Sequence, residues 1–128
     1  MREFNKTQRK LIKPIIKKGI LRRHAEWQNE LRELLDRPFD HISMGNEFDR
    51  SMLITDKARK FYKEAMRLED YYRSSWLDAG VTNLLIDGYL TFEDLSELPD
   101  ELQEYFNARM KLYKELNRQN RESETVGI

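Results

Sequence analysis

Apolar residues recur at helical spacing along most of this chain, most regularly between residues 55 and 79. Seven small or apolar residues there lie alternately three and four positions apart: Ala58, Phe61, Ala65, Leu68, Tyr72, Ser75 and Ala79. This spacing places them on one face of an α-helix, where they form a band that other elements must cover. We therefore predict a central helix over residues 56–79, with Thr55 as its N-cap and Gly80 as its end.

The same periodicity predicts two more helices. Residues 20–36 carry apolar side chains on one face, and Pro38 ends this helix because the residue before a proline is pushed out of the α region. Residues 99–118 carry a broad apolar band behind Pro99, which suits the first position of a helix. Residues 39–54 hold too many apolar side chains for a free linker, so we expect a packed loop there.

The start of the chain predicts a separate helical arm. Its apolar stripe lies among lysines and contains Pro14, a residue that breaks or kinks the interior of a helix. Gly19 is a candidate stop between this arm and the next helix. The expected organisation is a basic N-terminal arm at residues 1–19, a helical domain at residues 20–118 and a flexible C-terminal tail at residues 119–128.

Residues 82–92 allow two interpretations. Asp87 and Gly88 lie between two short apolar runs, which is the signal of a β-hairpin with a tight turn. The competing interpretation makes residues 82–86 a helical turn that ends at Gly88, since short apolar runs fit either structure. The stretch Thr91–Asp94 has the spacing of a helix cap, so a short helix is expected after it.

Together these elements predict a mainly α fold, a small bundle of three longer helices plus the N-terminal helical arm, with the hairpin at 82–92 left open. The residues expected in its core are Trp27, Leu31, Leu34, Phe61, Ala65, Leu68, Tyr72, Trp76, Leu102, Phe106, Met110 and Tyr113.

Charge is separated along the chain although the net charge of its 128 residues is zero. Residues 1–23 contain nine Lys or Arg and a single acid, Glu3, which leaves a net charge of +8. The remainder carries −8, and residues 78–104 contain eight acidic residues and no basic one. Separated charge of this kind favours electrostatic association with a partner or between copies.

The residue types argue against most kinds of active site. The chain has no cysteine, which excludes disulfides, thiolate metal sites and cysteine nucleophiles. It has no Gly-rich phosphate loop and no Gly-x-Ser-x-Gly motif, and two histidines leave little from which to build a nucleophile–base pair. We expect no enzyme activity and no cofactor.

The sequence also bears on location. No apolar run approaches the roughly 20 residues that span a bilayer, and no secretory signal is recognisable at the N-terminus. The expectation is a cytoplasmic protein without a membrane span.

Two stretches resemble metal sites in part. Residues 83–94 are similar to the second half of an EF-hand loop, but Leu85 stands at a ligand position without an oxygen and Asp94 is shorter than the usual Glu. His24 lies near two glutamates, yet the chain has no Glu-x-x-His motif, so His24 is expected in the core or at a helix interface. We predict that neither stretch binds a metal.

The charged residues are therefore the candidate site. The basic candidates for a partner or for phosphate are Lys10, Lys13, Lys17, Lys18, Arg22 and Arg23. The acidic docking candidates are Asp87, Glu93, Asp94, Glu97, Asp100, Glu101 and Glu104. The first hypothesis is a small non-enzymatic interaction or assembly module whose opposite charges meet within one chain, in a homo-oligomer or with a protein partner. The alternative is a nucleic-acid-associated accessory protein that binds phosphates through the basic arm.

Overall fold

Helices account for most of the described residues, as the apolar periodicity predicts. A computed structural model describes residues 2–37 and 45–126. The helices are α1 (Lys6–Asp36), α2 (Asn46–Asp70), α3 (Leu77–Ile86) and α4 (Asp100–Val126), with short 3₁₀ turns at Ser74–Trp76 and Phe92–Leu95. There is no β-strand within the described residues, and the prediction of a mainly α fold is confirmed.

The N-terminal arm and the second predicted helix form one continuous helix, α1. Asn5 caps its start, since the Asn5 side chain accepts a hydrogen bond from the Gln8 backbone N–H at 2.9 Å and the Gln8 side chain accepts one from Asn5. The helix then runs through Pro14 and Gly19 without ending. The predicted break at Gly19 is therefore wrong, and the basic residues lie on the same helix as residues 20–36.

Tertiary packing explains why α1 continues past Pro14. A proline inside a helix costs about 3 kcal/mol. Ile12, Ile16 and Ile20 are buried on either side of it, and they pack into the core formed with α3. Burial of a large aliphatic side chain contributes about 1.5–3 kcal/mol, so three of them outweigh the cost of the proline.

The predicted central helix at 56–79 is wrong at both ends. α2 begins at Asn46 and ends at Asp70, and the chain turns before α3 begins at Leu77. In this turn the backbone N–H groups of residues 71–73 bond to carbonyls three residues back instead of four. The alternating spacing of three and four positions continues through the turn. The sequence pattern therefore does not indicate where the helix ends.

The core is centred on α3, the shortest helix. Its Leu77, Val81 and Leu84 are almost fully buried between α1 and α4. They meet Ile12 and Ile16 from α1, and the N-terminal half of α4 closes the cluster with Leu102 and Phe106. α2, which contains most of the predicted central helix, lies instead at the edge of this core and contributes Leu68 to it.

Two glycines allow α3 to approach its neighbours closely. A β-carbon on Gly80 would lie 2.8 Å from Cβ of Tyr71, and one on Gly19 would lie 3.0 Å from Cδ1 of Leu84. Both residues lie inside helices, at points where another element touches the backbone. The prediction that Gly80 and Gly19 end helices is therefore wrong.

The helical interpretation of residues 82–92 is correct and the hairpin is not. α3 ends at Ile86, and Gly88 takes the left-handed conformation with φ of 83°. The Tyr89 N–H bonds to the Leu84 carbonyl at 2.9 Å and the Gly88 N–H bonds to the Leu85 carbonyl at 3.2 Å, which is the pattern of a Schellman motif. A hairpin turn and this helix end both need positive φ at glycine, so the Asp-Gly pair cannot distinguish them.

Other boundaries differ as well. The loop predicted at 39–54 lies partly outside the described residues, and its second half forms the first turns of α2. α4 begins at Asp100 behind Pro99 and continues to Val126, beyond the predicted end at 118. The tail expected from residue 119 is helical as far as it is described.

The expected core is correct in part. Among its members Leu34, Leu68, Leu102, Phe106 and Met110 are buried. The half-buried ones are Trp27, Leu31, Phe61, Ala65 and Tyr72. Trp76 and Tyr113 are exposed, because the chain leaves the predicted helix before Trp76 and because α4 extends beyond the core after Met110.

We predict that Gly80→Ala lowers the free energy of unfolding by about 1–3 kcal/mol, because the added methyl group forces Tyr71 and α3 apart. Urea denaturation followed by circular dichroism measures the change. Helix propensity alone predicts the opposite sign, a gain of about 1 kcal/mol. The control is Ala108→Gly on the exposed face of α4, which should lose about 1 kcal/mol through propensity. A Gly80→Ala protein more stable than wild type would contradict the close contact.

Candidate interaction surface

The fold divides the basic residues of α1 into two groups, and the first group is bound by the chain's own acids. Lys18 and Arg22 lie one turn apart and both reach Asp94. Lys18 Nζ lies 3.0 Å from Asp94 Oδ1, and the Arg22 guanidinium donates two hydrogen bonds to the carboxylate, at 2.7 and 3.0 Å. Arg22 also donates to the Tyr89 carbonyl oxygen at 3.0 Å. Two of the six basic candidates are thus paired within the chain.

Asp94 is the acceptor at the centre of this contact. Its side chain is only 6% exposed, and it accepts hydrogen bonds from the Thr91 N–H at 2.8 Å and the Thr91 hydroxyl at 3.1 Å. The predicted cap at these two residues is confirmed. The hydrogen bonds from Arg22 hold the pKa of the Asp94 carboxyl well below its usual range, against the opposing effect of burial.

Arg23 is also paired, but with α2. Its guanidinium donates two hydrogen bonds to Glu64, at 2.7 and 2.9 Å, and lies 4.9 Å from the ring centroid of Phe61. Trp27 stacks on the same Phe61 ring at 5.1 Å, and His24 meets it edge-on at 5.1 Å. The hydrogen bonds from Arg23 lower the pKa of Glu64. Arg23 and His24 therefore belong to the interface between α1 and α2.

Four lysines on α1 form the second group, which we call the lysine row: Lys6, Lys10, Lys13 and Lys17. They lie four, three and four positions apart, which places them on one face of the helix. All are exposed except the half-buried Lys13. Among the described residues, none of the four forms an ion pair or a hydrogen bond through its ammonium group. The row contains three of the six basic candidates and adds Lys6.

The acidic candidates divide in the same way. Asp94 is paired with Arg22 and Lys18, and Glu101 Oε1 lies 2.5 Å from Nη2 of Arg2. Four of the other acidic candidates are exposed and form no ion pair within residues 2–37 and 45–126, and we call them the acidic rim: Glu93, Glu97, Asp100 and Glu104.

Asp87 is the one acidic candidate in a different place. It follows α3, where partial desolvation of its carboxyl and the nearby negative charge of Glu64 raise its pKa, while Arg67 opposes the change. Asp87 therefore faces α2 and is not part of the rim.

A shallow hollow of 340 Å³ brings the two surfaces together. Lys10 and Lys18 line one side of it, and Glu93, Asp94 and Glu97 line the other. Lys10 of the lysine row thus lines the same hollow as Glu93 and Glu97 of the acidic rim, together with the Lys18–Asp94 ion pair. Among the described residues, Lys10, Glu93 and Glu97 form no ion pair.

A buried polar network was missed by the sequence analysis. Asp78 is 1% exposed in the middle of the core. Its Oδ2 accepts hydrogen bonds from the Arg2 backbone N–H at 2.9 Å and from the Tyr105 hydroxyl. Arg109 Nε lies 3.2 Å from Oδ1 as an ion pair, while its N–H is directed at Thr82 Oγ1, 3.3 Å away. Burial and the hydrogen bond to Asp78 raise the pKa of Tyr105.

This network ties the start of the chain to α3 and α4. The Arg2 guanidinium lies 5.0 Å from the Tyr105 ring centroid, and Phe4 is buried beside Tyr105 and Phe106. The sequence analysis counted Asp78 only as one acid of the 78–104 run. The signal that could have found it is its place inside the apolar stretch that becomes α3, where a lone carboxylate needs partners.

Within the part of the chain that the structure describes, no cluster of His, Asp and Glu is placed to hold a metal ion. None of the helices in residues 2–37 and 45–126 combines the length and the apolar character needed to span a membrane.

Comparison with known proteins found no matching family, no matching curated protein and no matching solved structure. The function is therefore inferred from the surface itself.

We predict that Asp94→Asn lowers the free energy of unfolding by about 1–3 kcal/mol at pH 7, because Arg22 and Lys18 lose their charged acceptor. The folded pKa of Asp94 lies below its unfolded value of about 3.9, so its contribution is complete above that pH and is lost as the pH falls through the folded pKa. The difference from wild type, measured by urea denaturation, should be full at pH 7 and shrink below about pH 4. The control is Glu97→Gln, an exposed acid of the unpaired rim that lies outside the helices and should stay within about 0.5 kcal/mol of wild type. A pH-independent difference would refute the role of the carboxylate charge.

We predict a larger loss for the buried acid. Asp78→Asn removes the charge that holds Arg109 and the start of the chain, and should cost about 3–5 kcal/mol. Tyr105→Phe removes one hydrogen bond and should cost about 1–2 kcal/mol. Chemical denaturation at pH 7 measures both, with Glu97→Gln as a surface control expected within about 0.5 kcal/mol of wild type. Equal stability of Asp78→Asn and wild type would mean that the network does not stabilise the fold.

Proposed function

We propose that this chain is a non-enzymatic helical interaction and assembly module that binds through two surfaces of opposite charge, the lysine row and the acidic rim. One observation carries the proposal. The fold pairs Lys18, Arg22 and Arg23 with its own acids, yet leaves four lysines in a row without any partner in the described chain.

The lysine row has the properties of a docking surface for an acidic partner. Its four ammonium groups lie on one side of α1 over about 16 Å, and the helix holds their spacing rigid. The charge of the row attracts a complementary acidic surface, which speeds association and selects the orientation of the partner. The affinity falls as salt screens the charges. An acidic protein face fits this chemistry, and the acidic rim of another copy is one such face.

Nucleic acid is the second candidate partner, on a separate observation. The lysines lie about 5–6 Å apart along α1, close to the spacing of successive phosphates on a strand. The acidic rim beside the row would repel the same strand. No aromatic side chain interleaves the row for stacking on bases. These two features favour the acidic protein partner.

The test compares two variants with the same change of charge. The row variant replaces Lys6, Lys10, Lys13 and Lys17 with Gln. The scattered variant replaces four exposed basic residues elsewhere with Gln: Arg32, Arg73, Lys111 and Lys114. Fluorescence anisotropy measures binding of a labelled polyglutamate peptide, a random DNA duplex and a single strand at low salt.

We expect the wild-type protein and the scattered variant to bind polyglutamate, and the row variant to bind at least about tenfold more weakly. Binding should also fall steeply at about 0.5 M salt. Preferential binding of nucleic acid that depends on the row would establish the second candidate. If no probe binds, or if both variants lose binding equally, the lysine row is only a solvated surface and the proposal is wrong.

A further inference from the structure

α2 has a second apolar face, which nothing in the described structure covers. Six exposed residues on it lie four, three, four, three and four positions apart, and we call them the α2 seam: Phe48, Met52, Thr55, Arg59, Tyr62 and Met66. Its four large apolar side chains are 46%, 56%, 65% and 49% exposed, in chain order. The opposite face of α2 packs on α1 through Phe61 and contributes Leu68 to the core. The helix is therefore apolar on two sides and packed on only one.

The spacing of the seam is the one at which helices pack side by side. Alternation of three and four positions keeps side chains on a line that faces a parallel or antiparallel neighbour. The seam runs from residue 48 to residue 66, about 27 Å of helix, so it is longer than an isolated surface contact. Beside it lies an open hollow of 600 Å³, lined on its apolar side by Ile54, Ala58 and Tyr62.

Small residues border the seam on one side. Ser51, Ala58 and Ala65 lie seven positions apart, so they fall on one line along α2. Short side chains at these positions let the backbone of a second helix come close to α2. The seam can therefore accept a helix along its whole length.

The charges on α2 indicate which molecule packs on the seam. Among the exposed charged residues of α2, the first half carries two acids, Glu47 and Asp56, and no base. The second half carries four bases, Arg59, Lys60, Lys63 and Arg67, and one acid, Glu69. A second α2 running antiparallel places each half against the half of opposite charge, whereas a parallel one places like charges together.

We propose that a second copy of this chain packs on the α2 seam in an antiparallel, two-fold symmetric arrangement. The axis passes between Thr55 and Arg59, so that Met52 lies opposite Tyr62 of the other copy. Such a contact uses the same surface on both molecules and closes on itself, which gives a dimer and not a filament.

The other exposed apolar stripe of the molecule fits α2 less well. Leu112 and Leu116 lie on the extended end of α4, and Lys111 and Lys114 lie beside them. This stripe spans only residues 112–116, much less than the 48–66 of the seam, so it would leave most of the seam uncovered. The seam is also separate from the lysine row, so this inference goes beyond the proposed function and can fail or hold without it.

Analytical ultracentrifugation of the full chain, from about 5 to 500 µM, tests the proposal. Wild-type protein should form a reversible dimer. Met52→Glu combined with Tyr62→Glu should weaken the dimer at least about tenfold, because four charges enter an apolar contact. The matched control, Leu112→Glu with Leu116→Glu, places the same charges on the α4 stripe and should dimerise like wild type. Circular dichroism verifies that both variants are folded.

Three results would contradict the proposed dimer on the α2 seam. These are a wild-type monomer at every concentration, equal weakening by both variants, and weakening by the α4 variant alone. The row variant described above should still dimerise as wild type does, and the dimer should persist at about 0.5 M salt. Loss of the dimer in the row variant would assign self-association to the charged surfaces instead.

Cross-linking tests the orientation. The natural chain has no cysteine, so single cysteines report one contact each. A mixture of Met52→Cys and Tyr62→Cys proteins should form the mixed disulfide several times faster than either protein forms its own, because the two positions face each other in the antiparallel dimer. Faster pairing of each variant with itself would indicate parallel helices and overturn the arrangement.

Discussion

The close packing of α3 against its neighbours is the constraint on which the rest of the structure depends. α3 is short and apolar, and it can be buried only if the surrounding helices reach it at backbone distance. Gly19 and Gly80 provide that distance, since a β-carbon at either position would meet another side chain at 3.0 Å or less. The packing then keeps α1 helical through Pro14. It also leaves α2 at the margin of the core, with one of its apolar faces uncovered.

Two buried acids fix how the charged parts of the chain are arranged around that core. Asp78 holds the start of the chain and Arg109 on α4, and Asp94 holds Lys18 and Arg22 on α1. Both carboxylates are almost fully buried, so each needs partners and each orders the segments that supply them. Lys18 and Arg22 stay exposed, but the pairing offsets their charge. The surface charge that remains is therefore set by the fold as well as by composition.

What remains on the surface has two distinct chemistries. The lysine row and the acidic rim offer charge without partners, which suits fast, salt-sensitive association. The α2 seam offers apolar side chains at helix-packing spacing, which suits a contact that salt weakens less. The two chemistries are compatible, since an apolar contact can hold two molecules together while charged faces remain accessible. The lysine row lies on α1 and the seam on the outer side of α2, so the two surfaces do not compete.

The sequence by itself determined the helical class, because apolar residues spaced three and four apart over such lengths indicate an α-helix. It also determined the separation of charge, and it pointed to most members of the lysine row and the acidic rim. It wrongly placed helix ends at Gly19 and Gly80, because a glycine that stops a helix and a glycine that allows a neighbour to approach look alike in the sequence. Only the tertiary structure decided which charges are paired and that Asp78 is buried. Pairing depends on distances between residues far apart in the chain, and no local pattern encodes those distances.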